Sequence, residues 1–91
     1  MKSLPPHVEC YRRTPTFEAT TVPRGLLTAH STKPGVWGRI VVLSGEIRYH
    51  IAEPAPESVL LTPDQPGIIE PAMAHHVEPL PGVSFYVEFH R

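Results

Sequence analysis

Residues 36–51 read VWGRIVVLSGEIRYHI, and this stretch decides the fold class. On either side of Ser44-Gly45, apolar residues recur at every second position, as they do in a strand that buries one face, and not at the helical spacing of three or four. Two such runs around a small-residue break are typical of a β-hairpin. The stretch therefore predicts two antiparallel strands that pair with each other.

Proline breaks up the rest of the chain. Twelve prolines are scattered between Pro5 and Pro81, and a proline inside a helix breaks or kinks it. Further strands are predicted between these breaks, at residues 7–12, 25–31, 58–61, 68–70, 75–78 and 83–90. About eight short strands separated by turns are typical of a barrel or jelly roll. We therefore predict an all-β chain that forms one domain over residues 1–91, as a closed or nearly closed barrel.

Composition and charge argue against several classes of protein. Hydrophobic residues make up 41% of the chain, which is enough to bury a core. The net charge is −1, so the chain lacks the basic surplus that binds nucleic acids or anionic membranes. The longest apolar run, residues 40–43, is too short to cross a bilayer, and residues 1–6 lack the apolar segment of a secretory signal. We expect a cytoplasmic protein with no nucleic-acid or membrane partner.

Histidine is the residue type that suggests a site. The chain contains six histidines, namely His7, His30, His50, His75, His76 and His90. Adjacent strand residues point to opposite faces, so at most one of His75 and His76 belongs to an interior site. A small barrel could bring His30 and His75 together, and a carboxylate from Glu88 or Glu78 would complete the set.

Two imidazoles and a carboxylate suit iron, zinc or manganese, and we take His30, His75 and Glu88 as the predicted metal ligands. Glu88 lies on the polar face of the last predicted strand with His90, whereas the apolar face is the better candidate for the barrel interior. The alternative is that the histidines cap turns and lie on the surface, because no compact His-x-His or Cys-x-x-Cys motif is present.

Cys10 and Lys33 have structural interpretations. Cys10 is the only cysteine and has no cationic neighbour in sequence, so we interpret it as a packing residue rather than a nucleophile. Lys33 belongs to the turn formed by residues 32–35, where proline and glycine set the backbone. The alternative for Lys33 is that it holds an anionic ligand.

Several stretches of the chain resemble a known family. They are HSTKPGVWGR at 30–39, VLSG at 42–45, EPAMAHHVE at 70–78, and Tyr11 followed by TPTF at 14–17. Together they resemble the TehB/YeaR-like family, a small domain found alone or ahead of the methyltransferase part of some tellurite-resistance TehB proteins. The resemblance covers nearly the whole chain. It implies a cupin-like β-barrel (a double-stranded β-helix, or jelly roll), and it does not imply methyltransferase activity, which lies in a separate domain of those relatives.

Cupins in general carry a His-x-His motif followed by a glutamate and a glycine, and a second motif Pro-x-Gly-x-x-His. This chain keeps His30 and Gly45 of the first motif without the second histidine or the glutamate. Its second region, PAMAHH at 71–76, lacks the glycine. The family pattern favours His75 over His76. The missing residues argue against the usual four-ligand cupin metal site, and a reduced site with His30 and His75 remains as a hypothesis.

Two functions remain open from the sequence. The first is a binding or sensing module for metal, oxyanion or nitrogen-oxide stress, as the resemblance suggests. The second is a small metal-dependent enzyme of the dioxygenase kind, which needs a redox metal with open coordination positions. We prefer the module because it needs fewer ligands, and a bound ion would be divalent, zinc or iron. We also expect a homodimer, because edge strands in so small a domain are often covered by a partner.

Overall fold

The computed structural model describes residues 1–27, 32–52 and 55–91 and is nearly all-β. In this part of the chain the strands are β1 (Cys10–Arg13), β2 (Phe17–Glu18), β3 (Trp37–Ser44), β4 (Ile47–Ile51), β5 (Glu57–Leu61), β6 (Gly67–Ile69), β7 (His75–Pro79) and β8 (Ser84–His90). The predicted all-β class is confirmed.

A single helical turn, α1 (Arg24–Leu27), lies where the sequence predicted the start of a strand at residues 25–31. That prediction is wrong for residues 25–27, because Pro23 begins a turn in which the Leu26 N–H donates to its carbonyl at 3.0 Å. Residues 28–31, which include His30, lie outside the described residues. No helix in the described part of the chain has the length and apolar character needed to cross a membrane.

The strands form two open antiparallel sheets. The first sheet has the order β1-β8-β3-β6, with β2 also paired to β8, and the second has the order β5-β4-β7. Side chains from both sheets form one hydrophobic core. The expectation of a closed barrel is wrong for the described residues, because no strand pairing joins the two sheets into a ring.

The predicted hairpin is also wrong, although both of its strands exist. β3 pairs with β6 and β8, whereas β4 pairs with β5 and β7. Between β3 and β4 the chain crosses from one sheet to the other at Gly45, whose φ is +78°. A Cβ at Gly45 would lie 2.8 Å from the Cα of Val83, so the close approach of two backbones at this crossing excludes a side chain.

Burial alternates along the strands, as the predicted period of two requires. Every second residue is buried in β3 (Gly38, Ile40, Val42), in β4 (Ile47, Tyr49, Ile51) and at Phe85 and Val87 of β8. Tyr49 is fully buried on β4, and its hydroxyl donates a 3.0 Å hydrogen bond to the carbonyl of Ile68 on β6. This bond joins the second sheet to the first through the middle of the core.

Replacing Gly45 tests the sheet crossing. Gly45→Ala should lower the free energy of unfolding by about 3 kcal/mol or more, because it combines a positive φ with a steric overlap against backbone. Gly35→Ala is the matched control, since Gly35 has the same φ of 78° and no described atom within 4 Å of an added Cβ. It should cost only about 1–2 kcal/mol. Equal losses in urea unfolding would contradict the role assigned to the close approach.

Removing the buried hydroxyl tests the link between the sheets. Tyr49→Phe should lower the free energy of unfolding by about 1–2 kcal/mol, because the carbonyl of Ile68 loses its side-chain donor. The exposed Tyr11 provides the control Tyr11→Phe, which should change stability little.

The same residue predicts a dependence on alkaline pH. Burial, and then the charges of Glu70 and Glu57, raise the pKa of Tyr49 above its ordinary value. In the unfolded chain Tyr49 loses its proton near pH 10, about the ordinary tyrosine pKa, so stability should fall as the pH rises beyond that point. In urea unfolding at neutral and alkaline pH, Tyr49→Phe should show a smaller alkaline loss than the wild type. An identical loss would show that folding does not raise the pKa of Tyr49.

Candidate functional site

A cavity of about 500 Å³ lies beside the hydrophobic core and opens to solvent. Its lining residues come from both sheets and from the segments around α1: Tyr11, Arg12, Pro23, Gly25, Leu26, Thr32, Lys33, Val36, Ile69, His75, Val87 and Phe89. Mostly apolar walls with a few polar groups are typical of a site for a small molecule.

A β-bulge in β1 shapes one wall of the cavity. Cys10 pairs with His90 and Arg12 pairs with Phe89, so Tyr11 is an extra residue on β1. Because of the bulge, the consecutive residues Tyr11 and Arg12 both line the cavity, which a regular strand would not allow. The guanidinium of Arg91 lies 3.9 Å from the centre of the Tyr11 ring and covers it.

His75 is the buried titratable group of the cavity. It is 1% exposed at the start of β7, and Nδ1 donates a 2.9 Å hydrogen bond to the carbonyl of Met73. The Tyr49 ring meets the His75 ring edge-on at 6.0 Å between centroids. Because a carbonyl only accepts, the proton is fixed on Nδ1, and in the neutral ring Nε2 is the acceptor or ligand atom.

The charged groups of the cavity are both positive. Arg12 and Lys33 lie on the exposed rim, and no acidic residue is present among the described residues that line it. The Lys33 turn is held in place by Thr32, whose hydroxyl donates to the carbonyl of Glu70 at 3.1 Å and accepts from the Ala72 N–H at 3.2 Å. The cavity therefore favours a ligand with a negative charge.

The predicted metal ligands lie in different places. His75 lies in the cavity, but Glu88 alternates with the cavity-lining Val87 and Phe89 and so points to the opposite face of β8. Glu78, the alternative carboxylate, is exposed and lies 3.3 Å from Nε2 of His50. His30 lies outside the described residues. Thus the structure does not bring either carboxylate to His75.

His76 faces away from the cavity, as the alternation of adjacent strand residues predicted. Its ring stacks on His50 at 4.6 Å between centroids, on the outer side of the second sheet. This pair is a surface contact between neighbouring strands.

Glu88 belongs instead to a group with Cys10 and His90. One ligand atom from each of these side chains lies within 4.8 Å of the other two. The interpretation of Cys10 as a packing residue is wrong, because Cys10 is exposed. The shared face of Glu88 and His90 is visible in the alternation of β8, but the pairing of the first strand with the last, which adds Cys10, has no signal in the sequence.

Comparison with known proteins supports the resemblance seen in the sequence. The family model of the TehB-like domain matches residues 12–87. A probable S-adenosyl-L-methionine-dependent methyltransferase TehB from Haemophilus influenzae (strain 10810) is 31% identical over 75 residues, which cover 78% of this chain and 26% of that protein. An uncharacterised protein, YeaR, from Escherichia coli (strain K12) is 27% identical over 95 aligned positions, which cover 94% of this chain and 79% of YeaR. This chain therefore spans only about a quarter of the TehB methyltransferase.

Solved structures show the same fold. The crystal structure of a protein from E. coli (strain K12) superposes with a TM-score of 0.90 at 25% identity, over 100% of this chain and 97% of that one. TehB from H. influenzae superposes with a TM-score of 0.84 at 25% identity, over 91% of this chain and 31% of that one. With the family model matching most of its length, the chain belongs to the TehB-like domain family.

Proposed function

We propose that this TehB-like domain is a binding module that holds a small anion in the cavity beside His75. The observation that carries the proposal is a cavity of about 500 Å³ with apolar walls, in which the described charged residues are Arg12 and Lys33. Cavities of about 300–1,000 Å³ with a few convergent polar groups are the usual sites for small molecules.

The apolar walls favour an anion with an apolar body over a bare inorganic oxyanion. Ile69, Val87 and Phe89 would contact that body, and burying it would supply the nondirectional part of the binding energy. Arg12 would hold a carboxylate or oxyanion with two parallel hydrogen bonds, and Lys33 would add a second positive charge. His75 lies in the buried part of the cavity, where its ring would contact the ligand.

The same proposal includes a role in stress response, a cupin-like fold and a homodimer. A jelly roll of the cupin kind is supported by two antiparallel sheets that share one core. A homodimer would cover one of the outer strands of the second sheet, such as β5, on which Leu60 is 45% exposed. A module that captures a small anion would serve either as a sensor or as the substrate-holding part of a larger protein.

A small metal-dependent enzyme is the second candidate, and the hydrogen bond of His75 favours it. Metal-ligating histidines usually donate the second ring N–H to a carbonyl or carboxylate, as His75 does to Met73. However, His75 is the single metal-ligating side chain among the described residues that line the cavity. Zinc and iron need more protein ligands than one, so this candidate depends on His30.

Titration with matched charged and neutral probes tests the binding module. Benzoate should bind more tightly than its neutral counterpart benzamide, because only benzoate has a charge for Arg12 and Lys33. Arg12→Gln and Lys33→Gln should each weaken benzoate binding about two- to fivefold, the effect of an exposed ion pair. Arg48→Gln, an exposed arginine on the outer face of β4, is the control and should change nothing.

Calorimetry or amide chemical-shift titration supplies the measurement, with phosphate and tellurite as inorganic probes. Tight binding of the inorganic anions alone would favour an oxyanion site over the apolar-bodied ligand. No binding of any charged probe, or equal binding of benzoate and benzamide, would contradict the proposal.

Metal retention by His75 and His76 variants tests the second candidate. In a Cys10→Ser background, which removes one donor of the second cluster, His75→Ala should abolish retention of zinc or iron and His76→Ala should not. The two residues are neighbours on β7 with opposite orientation, so they are matched except for access to the cavity. Elemental analysis of the purified proteins, with circular dichroism to check the sheets, decides the matter. Equal metal content in all three proteins would exclude a metal role for His75.

A further inference from the structure

The outer face of the first sheet carries a second group of chemically reactive side chains, at the pairing of β1 with β8. Cys10 and His90 are directly opposite each other across the two strands, and Glu88 precedes His90 by two residues on the same face. Nε2 of His90 lies 3.2 Å from Oε1 of Glu88. A ligand atom of Cys10 lies within 4.8 Å of a ligand atom on each of them.

The donor set is a thiol, an imidazole and a carboxylate. In a tetrahedral site with metal–ligand bonds of about 2.0–2.3 Å, neighbouring ligand atoms lie about 3.2–3.8 Å apart. The pair formed by His90 and Glu88 already has this separation, so Cys10 needs to move by only about 1 Å. Sulfur with nitrogen is the combination that selects zinc among the common divalent ions.

We propose that Cys10, Glu88 and His90 bind a zinc ion on the outer face of the first sheet. The ion would have three protein ligands and a fourth position open to solvent, because Cys10 is exposed whereas His90 is buried. The bulge at Tyr11 is what makes this arrangement compatible with the cavity. It lets β1 turn Cys10 outward while Tyr11 and Arg12 line the cavity on the inner side.

The groups that now contact the three side chains are ones that zinc can replace. Nη1 of Arg39 lies 3.7 Å from Oε1 of Glu88, and the Arg39 side chain is 42% exposed, so it can turn to solvent. The Cys10 thiol donates a weak 3.4 Å hydrogen bond to the carbonyl of Arg12, which is lost when the thiol gives up its proton to bind metal. A thiolate and a carboxylate together balance the two positive charges of the ion.

This site is independent of the cavity. Glu88 and His90 project from the opposite face of β8 to Val87, which lines the cavity with His75. Failure of one site therefore leaves the other intact, and the experiments that address the two sites can be told apart.

Titration of the apo-protein with Co²⁺ and then Zn²⁺ tests the site. Cobalt bound to a thiolate gives a near-ultraviolet charge-transfer band, and we expect that band at one ion per chain, lost when zinc displaces cobalt. Cys10→Ser should abolish the band and weaken zinc binding by more than about tenfold, and Glu88→Gln should weaken it by about tenfold. Zinc should also protect the Cys10 thiol of the wild type from a thiol reagent.

Two variants outside the cluster are the controls. Arg48→Gln and His76→Ala should keep the cobalt band and the zinc affinity of the wild type. Because Cys10 is exposed, Cys10→Ser should fold normally, and its thermal unfolding in the absence of metal should match that of the wild type. Absence of the cobalt band in the wild type, or unchanged zinc affinity in Cys10→Ser, would overturn the proposal.

Discussion

Each sheet buries its apolar face by packing against the other sheet. The hydrogen bond from the Tyr49 hydroxyl to the carbonyl of Ile68 fixes the position of one sheet relative to the other. Tyr49 is fully buried, so its hydroxyl must have a partner inside the core. The partner is a backbone group of the opposite sheet, which sets the distance between β4 and β6. The Tyr49 ring also contacts His75, so the same side chain that joins the sheets packs against a residue of the cavity wall.

β8 then divides the first sheet into two chemical environments. Along this strand the side chains alternate between the core side, where Val87 and Phe89 line the cavity, and the outer side, where Glu88 and His90 lie. β1 follows the same division, but its bulge gives two successive residues to the cavity and leaves Cys10 outside. A one-residue irregularity at Tyr11 thus decides which residues of β1 belong to which site.

The sequence could predict what depends on a single strand and could not predict what depends on the pairing of strands. Alternation predicted that β3, β4 and β8 are strands with one buried face, because such a strand has a period of two whatever its neighbours are. The same alternation is satisfied by a hairpin and by two strands that face each other across a core. The Ser44-Gly45 break is also compatible with both, so the sequence predicted a tight turn where the chain in fact crosses between the sheets.

The candidate sites show the same limit. The sequence predicted Glu88 as a metal ligand together with His75, but His75 lies on the other side of β8. Its neighbours Cys10 and His90 come together because the first and last described strands pair, a contact between residues 80 positions apart that no local pattern encodes. The family resemblance favoured His75 over His76, and of the two only His75 is buried and lines the cavity. The resemblance could not predict the positive charge at the rim of the cavity, because Arg12 lines the cavity only as a result of the bulge in β1.

Two sites that share one strand need not influence each other. Energetic coupling requires an element with two arrangements that both ligands bias, and β8 is paired on one side with β3 along most of its length and on the other with β1 and β2. Such a strand has little freedom to shift its register, because a slip of one residue would exchange its buried and outer side chains. The alternation that separates the cavity from the Cys10 cluster therefore also opposes coupling between these two candidate sites.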